Sequence, residues 1–273
     1  MEQNNSADTA TQKHLEFGEK KIILVGTAHV SSESIEEVKK AVTDIKPDSV
    51  AVELDENRLK NLEDPESWRK MDIIKVLKNK MGFLMLANIV LAGYQKRMGE
   101  NAGVKPGDEM LAAIETSRSM GIPLTMVDRP IAVTLRRAWV KNSFWGKSKL
   151  LSMLIASAFS KEEVSPGEIE NLKQTSEMDT MMRDLSDYLP AVKEVLIDER
   201  DKYLASKIWT SPGTTVLAVL GAGHLGGVQA HLQKLAAGSE SADCSAIETV
   251  PQKKLGSKIA SWIIPVLIVA LIV

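Results

Sequence analysis

"KIILVGTAHVSSESIEEVKKAVTDIKPDSVAVEL", residues 21–54, decides the fold. "KIILVGT" and "DSVAVEL" are short, β-branched, almost continuous apolar runs, the pattern of strands buried on both faces. Between them "SSESIEEVKKAVTDI" opens with serines and acidic residues and repeats Ile35, Val38, Val42 and Ile45 at helical spacing, so it reads as a capped amphipathic helix. Strand, helix and strand in so short a span make a βαβ unit and predict a parallel sheet. Two more runs of the same kind, "PLTMVD" at 123–128 and "TTVLAVLG" at 214–221, extend it. The expected fold class is α/β, a mainly parallel central sheet with flanking helices.

Composition narrows the function. The 273 residues are 44% hydrophobic with a net charge of -2, enough for a sizeable core and without the basic bias of a nucleic-acid binder. The single cysteine, Cys244, excludes an intrachain disulfide and reads as a surface thiol in a Ser/Ala/Gly-rich stretch. Residues 1–19 are polar, lack the apolar centre of a signal peptide and read as a flexible leader. The α/β domain is expected over 20–237, with a large helical insertion or cap at about 66–208. "GSESADCSA" at 238–246 opens a linker expected to run to residue 257.

Residues 258–273 contain "IASWIIPVLIVALIV", fifteen residues without a charge. A bilayer span takes about 20 residues, so this segment reads as the start of a truncated transmembrane helix. Lys253, Lys254 and Lys258 precede it, and by the positive-inside tendency they place the folded domain in the cytoplasm. "MGFLMLANIVLAGY" at 81–94 and "LLSMLIASAF" at 150–159 carry more apolar surface than a cap needs, which predicts a homodimer interface.

The chemistry gathers at strand ends. "GTAHVS" at 26–31 and "GAGHLGG" at 221–227 each close a buried run with Gly-x-x-His, and the chain has four histidines in all. In a parallel sheet ligands bind beyond the carboxyl ends of the strands, so His29 and His224 are expected at one edge. Gly26, Gly221 and Gly223 supply the tight turns and close backbone approach. Glu53 ends "SVAVE", where a carboxylate is costly to bury without a partner. Two imidazoles and a carboxylate suit zinc, manganese or cobalt, with Glu53 as third ligand or as the base that activates bound water. They equally suit general acid and base without a metal. Arg129 and Arg200 carry the fork geometry that holds a carboxylate or a developing oxyanion.

"GTAHVS", "VAVELDENRL", "PGDEM", "DRPIAVTLRRAW", "DERDKYLA" and "GAGHLGG", in this order, resemble the TraB family, which includes pheromone-shutdown proteins and is related to the Tiki membrane metalloproteases and the GumN-like proteins. The resemblance spans roughly residues 20–230. It implies metal-dependent peptidase activity, as in the Tiki branch, or sequestration of a peptide signal, as in the pheromone branch. It makes His29 and His224 the paired histidines and Glu53 the acidic residue, and it puts Arg58, Arg129, Arg137, Glu199, Arg200 and Asp201 at the other charged motif positions. Of these, Arg58, Arg137, Glu199 and Asp201 are assigned to substrate binding. The expected activity is therefore a membrane-anchored, divalent-metal-dependent peptidase with a peptide substrate. The alternatives are a peptide-sequestering protein and a metal-free hydrolase resembling erythromycin esterases. Tiki proteins act outside the cell, which keeps an extracytoplasmic placement open beside the cytoplasmic one.

Overall fold

The computed structural model of the protein describes residues 11–27, 32–63, 107–159 and 188–251. Five strands, β1 (Gln12–Phe17), β2 (Lys20–Thr27), β3 (Ser49–Val52), β4 (Leu124–Met126) and β5 (Thr215–Gly221), form one sheet in the order β1-β2-β5-β3-β4. Three of its four pairings, β2·β5, β5·β3 and β3·β4, follow the expected parallel arrangement, and β1 joins antiparallel to β2 at the edge. Residues 12–17, whose polarity reads as part of a leader, are thus an edge strand. An edge strand of mixed polarity is what a solvated sheet margin tolerates.

The sheet is sandwiched because alternate strand residues face opposite ways. From β5, Val216, Ala218 and Leu220 enter one core with Ile22, Leu24, Leu204, Ile208, Val228 and Leu232. Leu217 and Val219 enter the other with Ile23, Val25, Val38, Val42, Met110 and Ile114. The first layer comes from helices α6 (Glu199–Trp209) and α7 (Leu225–Ala236), the second from α1 (Ser32–Ile45), α2 (Glu56–Glu63) and α3 (Asp108–Ser119). The range 66–208 therefore supplies, in its described parts, elements of the sandwich itself: α3, β4 and most of α6. Alongside these it contributes a hairpin of α4 (Ile131–Lys141) and α5 (Phe144–Phe159), whose Leu150 and Leu151 pack with Leu135 and Trp139.

A short helix, Pro190–Lys193, enters α6 through a π-helical turn at Glu194–Asp198, where the Glu199 N–H reaches back five residues to the Glu194 carbonyl. The stretch read as a linker holds helix α8 (Ser245–Glu248), and Cys244 just before it is buried rather than on the surface. Among the described residues no helix is long and apolar enough to cross a membrane. The apolar segment at 258–273, the run at 81–94 and His29 lie outside the described residues.

Candidate functional site

Parallel pairing carries the chemistry-bearing residues to one sheet edge. β2 and β5 are neighbours, with Gly26 opposite Leu220 and Thr27 opposite Gly221, so the two strands leading to Gly-x-x-His end side by side. The Thr27 hydroxyl donates to the Leu220 carbonyl at 3.2 Å across that end. Gly26 is required there, because a Cβ at this position would overlap the Leu225 side chain that follows the second motif. Glu53 follows β3 directly and Asp128 stands two residues past β4, so both carboxylates emerge at the same edge.

Arg200, from the first turn of α6, is the hub. Its Nη2 donates to Glu53 Oε1 at 2.6 Å and to Asp128 Oδ2 at 2.7 Å, its Nε donates to Asp128 Oδ1 at 3.2 Å, and its Nη1 lies 3.1 Å from His224 Nε2. Burial alone would lower the Arg200 pKa, but the adjoining Asp128 and Glu53 carboxylates outweigh it and raise it. The other Glu53 oxygen accepts the Gly221 N–H at 2.7 Å, tying the carboxylate to the start of the second motif. Arg58 closes the rim through Asp55, at 3.1 Å, and through Asp128.

The protonation of His224 follows from its partners. Arginine only donates, so Nε2 presents its lone pair to Arg200. Nδ1 then carries the proton and donates it to Asp201 Oδ1, 2.5 Å away. The result is a carboxylate–imidazole dyad whose Nε2 lies 3.7 Å from Glu53 Oε1 in a ring that is 13% exposed. Asp201 reaches His224 because Gly227, one turn into the next helix, has no side chain: a Cβ there would overlap the Asp201 carboxylate. Gly227→Ala is expected to push Asp201 away and lower any His224-dependent turnover roughly 10²-fold, while the urea midpoint falls far less than for a core truncation. Parental turnover in this variant would show that Asp201 does not need that approach.

Arg129, Arg137 and Glu199 lie in a second, separate cluster. Arg129 is 1% exposed, and its donors go to Thr134 Oγ1 at 3.0 Å, Glu199 Oε2 at 2.9 Å, the Ile247 carbonyl at 2.8 Å and the Val195 carbonyl at 3.1 Å. Arg137 grips both Glu199 oxygens at 2.7 Å and donates to the carbonyls of Ala246 and Thr249. Lys141 adds a third cation to Glu199 at 2.7 Å. These arginines hold α8 down by its backbone, which accounts for the burial of Cys244. Burial alone would raise the Glu199 pKa; the hydrogen bonds from Arg137, Lys141 and Arg129 outweigh it and hold it at about 2 instead of 4.5. A depressed carboxylate pKa contributes stability that is complete above the unfolded value and is lost as pH falls through the folded one. The urea midpoint is therefore expected to drop as pH goes from about 5 to 2, and Glu199→Gln to flatten part of that slope. An unchanged slope in the variant would remove Glu199 as its source.

The edge thus brings together Glu53, Arg58, Arg200, Asp201 and His224 and sets Arg129, Arg137 and Glu199 apart. Asp55, Asp128 and Gly227 join the site without having been singled out. The signals were present: Asp128 ends "LTMVD" as Glu53 ends "SVAVE", and the double glycine after His224 marks a close approach.

Of the expected metal ligands, His29 lies outside the described residues, and His224 and Glu53 both face the Arg200 guanidinium, which an ion would have to displace. An ion needs the lone pairs of His224 Nε2 and Glu53 at about 2.0–2.2 Å, and the Arg200 guanidinium holds those lone pairs. Among the described residues no group of three or more His, Cys, Asp or Glu is placed to hold a metal.

The model of the TraB/PrgY/gumN family matches residues 13–239. The chain belongs to that family. An uncharacterized protein of Methanocaldococcus jannaschii is 34% identical over 252 residues, 92% of this chain and 63% of the relative. A TraB domain-containing protein of Mus musculus is 27% identical over 95% of this chain and 73% of its own length. The Homo sapiens TraB domain-containing protein is 30% identical over 73% of this chain and 54% of its own length. The chain thus spans between about half and three quarters of these relatives, and the matched residues include His224, Glu53, Arg200 and the Arg129, Arg137 and Glu199 side chains.

Proposed function

We propose that this TraB-family chain is a hydrolase that cleaves an acyl bond of a peptide without a metal, with His224 as general base. The Asp201–His224 dyad carries the reading. Asp201 fixes the tautomer and stabilises the imidazolium, so that Nε2 takes a proton from water as its oxygen adds to the scissile carbonyl. The same proton then passes to the leaving nitrogen. Arg200 Nη1, displaced from Nε2 by the substrate, then donates to the oxyanion, and its other donors hold the guanidinium in place on Glu53 and Asp128. Arg58, partly exposed at the rim, suits the substrate carboxylate. The peptide class rests on the resemblance to pheromone-shutdown and Tiki proteins.

The test is cleavage of a peptide library, read by mass spectrometry, for the parent and His224→Ala, with chelator and with added Mn²⁺, Co²⁺ or Zn²⁺. Turnover that survives chelation and is lost with His224 is the expected result. Turnover only with added metal would replace this reading by a metal-dependent one, in which an ion displaces Arg200 from His224 and Glu53. Tight binding without product under every condition would favour sequestration, and parental turnover in His224→Ala would end the base assignment.

A further inference from the structure

We propose that the α4–α5 hairpin is a docking surface for an anionic membrane, independent of the hydrolytic reading. Large apolar side chains exposed to solvent are unevenly placed. Phe144 is 62% and Trp145 75% exposed at the start of α5, and Met153 is exposed two turns further on. Trp145, Lys149 and Met153 fall four residues apart, which aligns them on one face of the helix. Phe144 and Trp145 pack edge to face with ring centroids 5.8 Å apart, and Lys149 lies 4.4 Å over the half-exposed ring of Tyr188. The opposite face of α5 is committed inward through Leu150 and Leu151. The outer stripe is therefore an aromatic and basic ridge on a firm base.

Charge selects the occupant. Residues 129–161 contain seven Lys or Arg and not one Asp or Glu. Arg129, Arg137 and Lys141 are engaged by Glu199; Arg136, Lys147 and Lys149 complete the basic residues of the two helices, with Lys147 5.9 Å over the Trp139 ring and Lys149 over Tyr188. A second copy of this chain is a poor partner: a two-fold contact sets the stripe against itself, and neither helix has a carboxylate to answer Lys149. Anionic headgroups answer the lysines, and the headgroup boundary accepts tryptophan and phenylalanine with their apolar bodies buried and lysine stems lying alongside.

The experiment uses the whole chain with vesicles of phosphatidylcholine, with and without phosphatidylserine. Parent and variants all retain the apolar 259–273 run, so differences between them report on the hairpin. Partitioning onto the anionic vesicles is expected to fall roughly 10-fold in Phe144→Ser/Trp145→Ser, because two aromatic side chains lose their burial. Lys147→Glu/Lys149→Glu is expected to erase the preference for phosphatidylserine. Brominated lipid should quench the parent's tryptophan fluorescence more than that of Trp145→Phe. Partitioning, lipid preference and quenching all unchanged in the variants would overturn the proposal. So would light scattering in which these substitutions change the assembly mass while vesicle binding stays as in the parent, since a second copy would then cover the ridge.

Discussion

Arg200→Met is expected to lower the unfolding free energy by about 3–5 kcal/mol, because it takes from the Glu53 and Asp128 carboxylates, each 6% exposed, their shared cation and leaves Asp128 with Arg58 alone. The measurement is the urea midpoint at neutral pH. Adding Glu53→Gln and Asp128→Asn to the same chain should recover part of the loss, since the penalty belongs to buried charge that has lost its cation rather than to missing volume. A parental midpoint for Arg200→Met alone would mean that water already solvates the hub, and the Arg200-centred account of the site would fall with it.

The second large effect is on turnover. Asp201→Asn keeps size and burial but removes the charge that steadies the imidazolium formed in the step, and its amide can turn either its N–H or its oxygen to His224 Nδ1. Turnover is then expected to fall by roughly 10²–10⁴-fold with little change in stability, as when the orienting carboxylate of a catalytic dyad is lost. A second readout needs no substrate: ¹⁵N shifts of His224 in the parent should place the ring proton on Nδ1. A parent ring carrying its proton on Nε2 instead would remove Nε2 as the base. Parental turnover in Asp201→Asn would remove Asp201 as the positioning residue.

Much of this fold is legible in the residues, for identifiable reasons. Runs such as "TTVLAVLG" have one physical reading, and βαβ chirality and parallel pairing follow from their order. Glu53 stands out because nothing in "SVAV" prepares for a charge. The partition of the arginines was not legible. Arg129 and Arg200 look alike in the sequence, each beside an aspartate at an element boundary, yet one faces Asp128 and His224 while the other faces Glu199. That outcome is set by helix phase, and the phase of α6 depends on a π-helical turn that no composition rule announces. The docking of 245–249 was hidden for another reason: its ties to Arg129 and Arg137 are main-chain carbonyls, which every residue has, so "GSESADCSA" reads as a linker whichever way it lies.

The π turn at Glu194–Asp198 has a consequence for chain length. It carries one residue more than an α-helical turn between the flanking helices, so deleting one residue there would heal the helix and leave Glu199, Arg200 and Asp201 facing as they do. The same deletion placed after Glu199 would turn the residues beyond it by about 100°, exchanging which side chains meet which cluster. Family members of differing length should therefore vary at the first place and stay constant at the second.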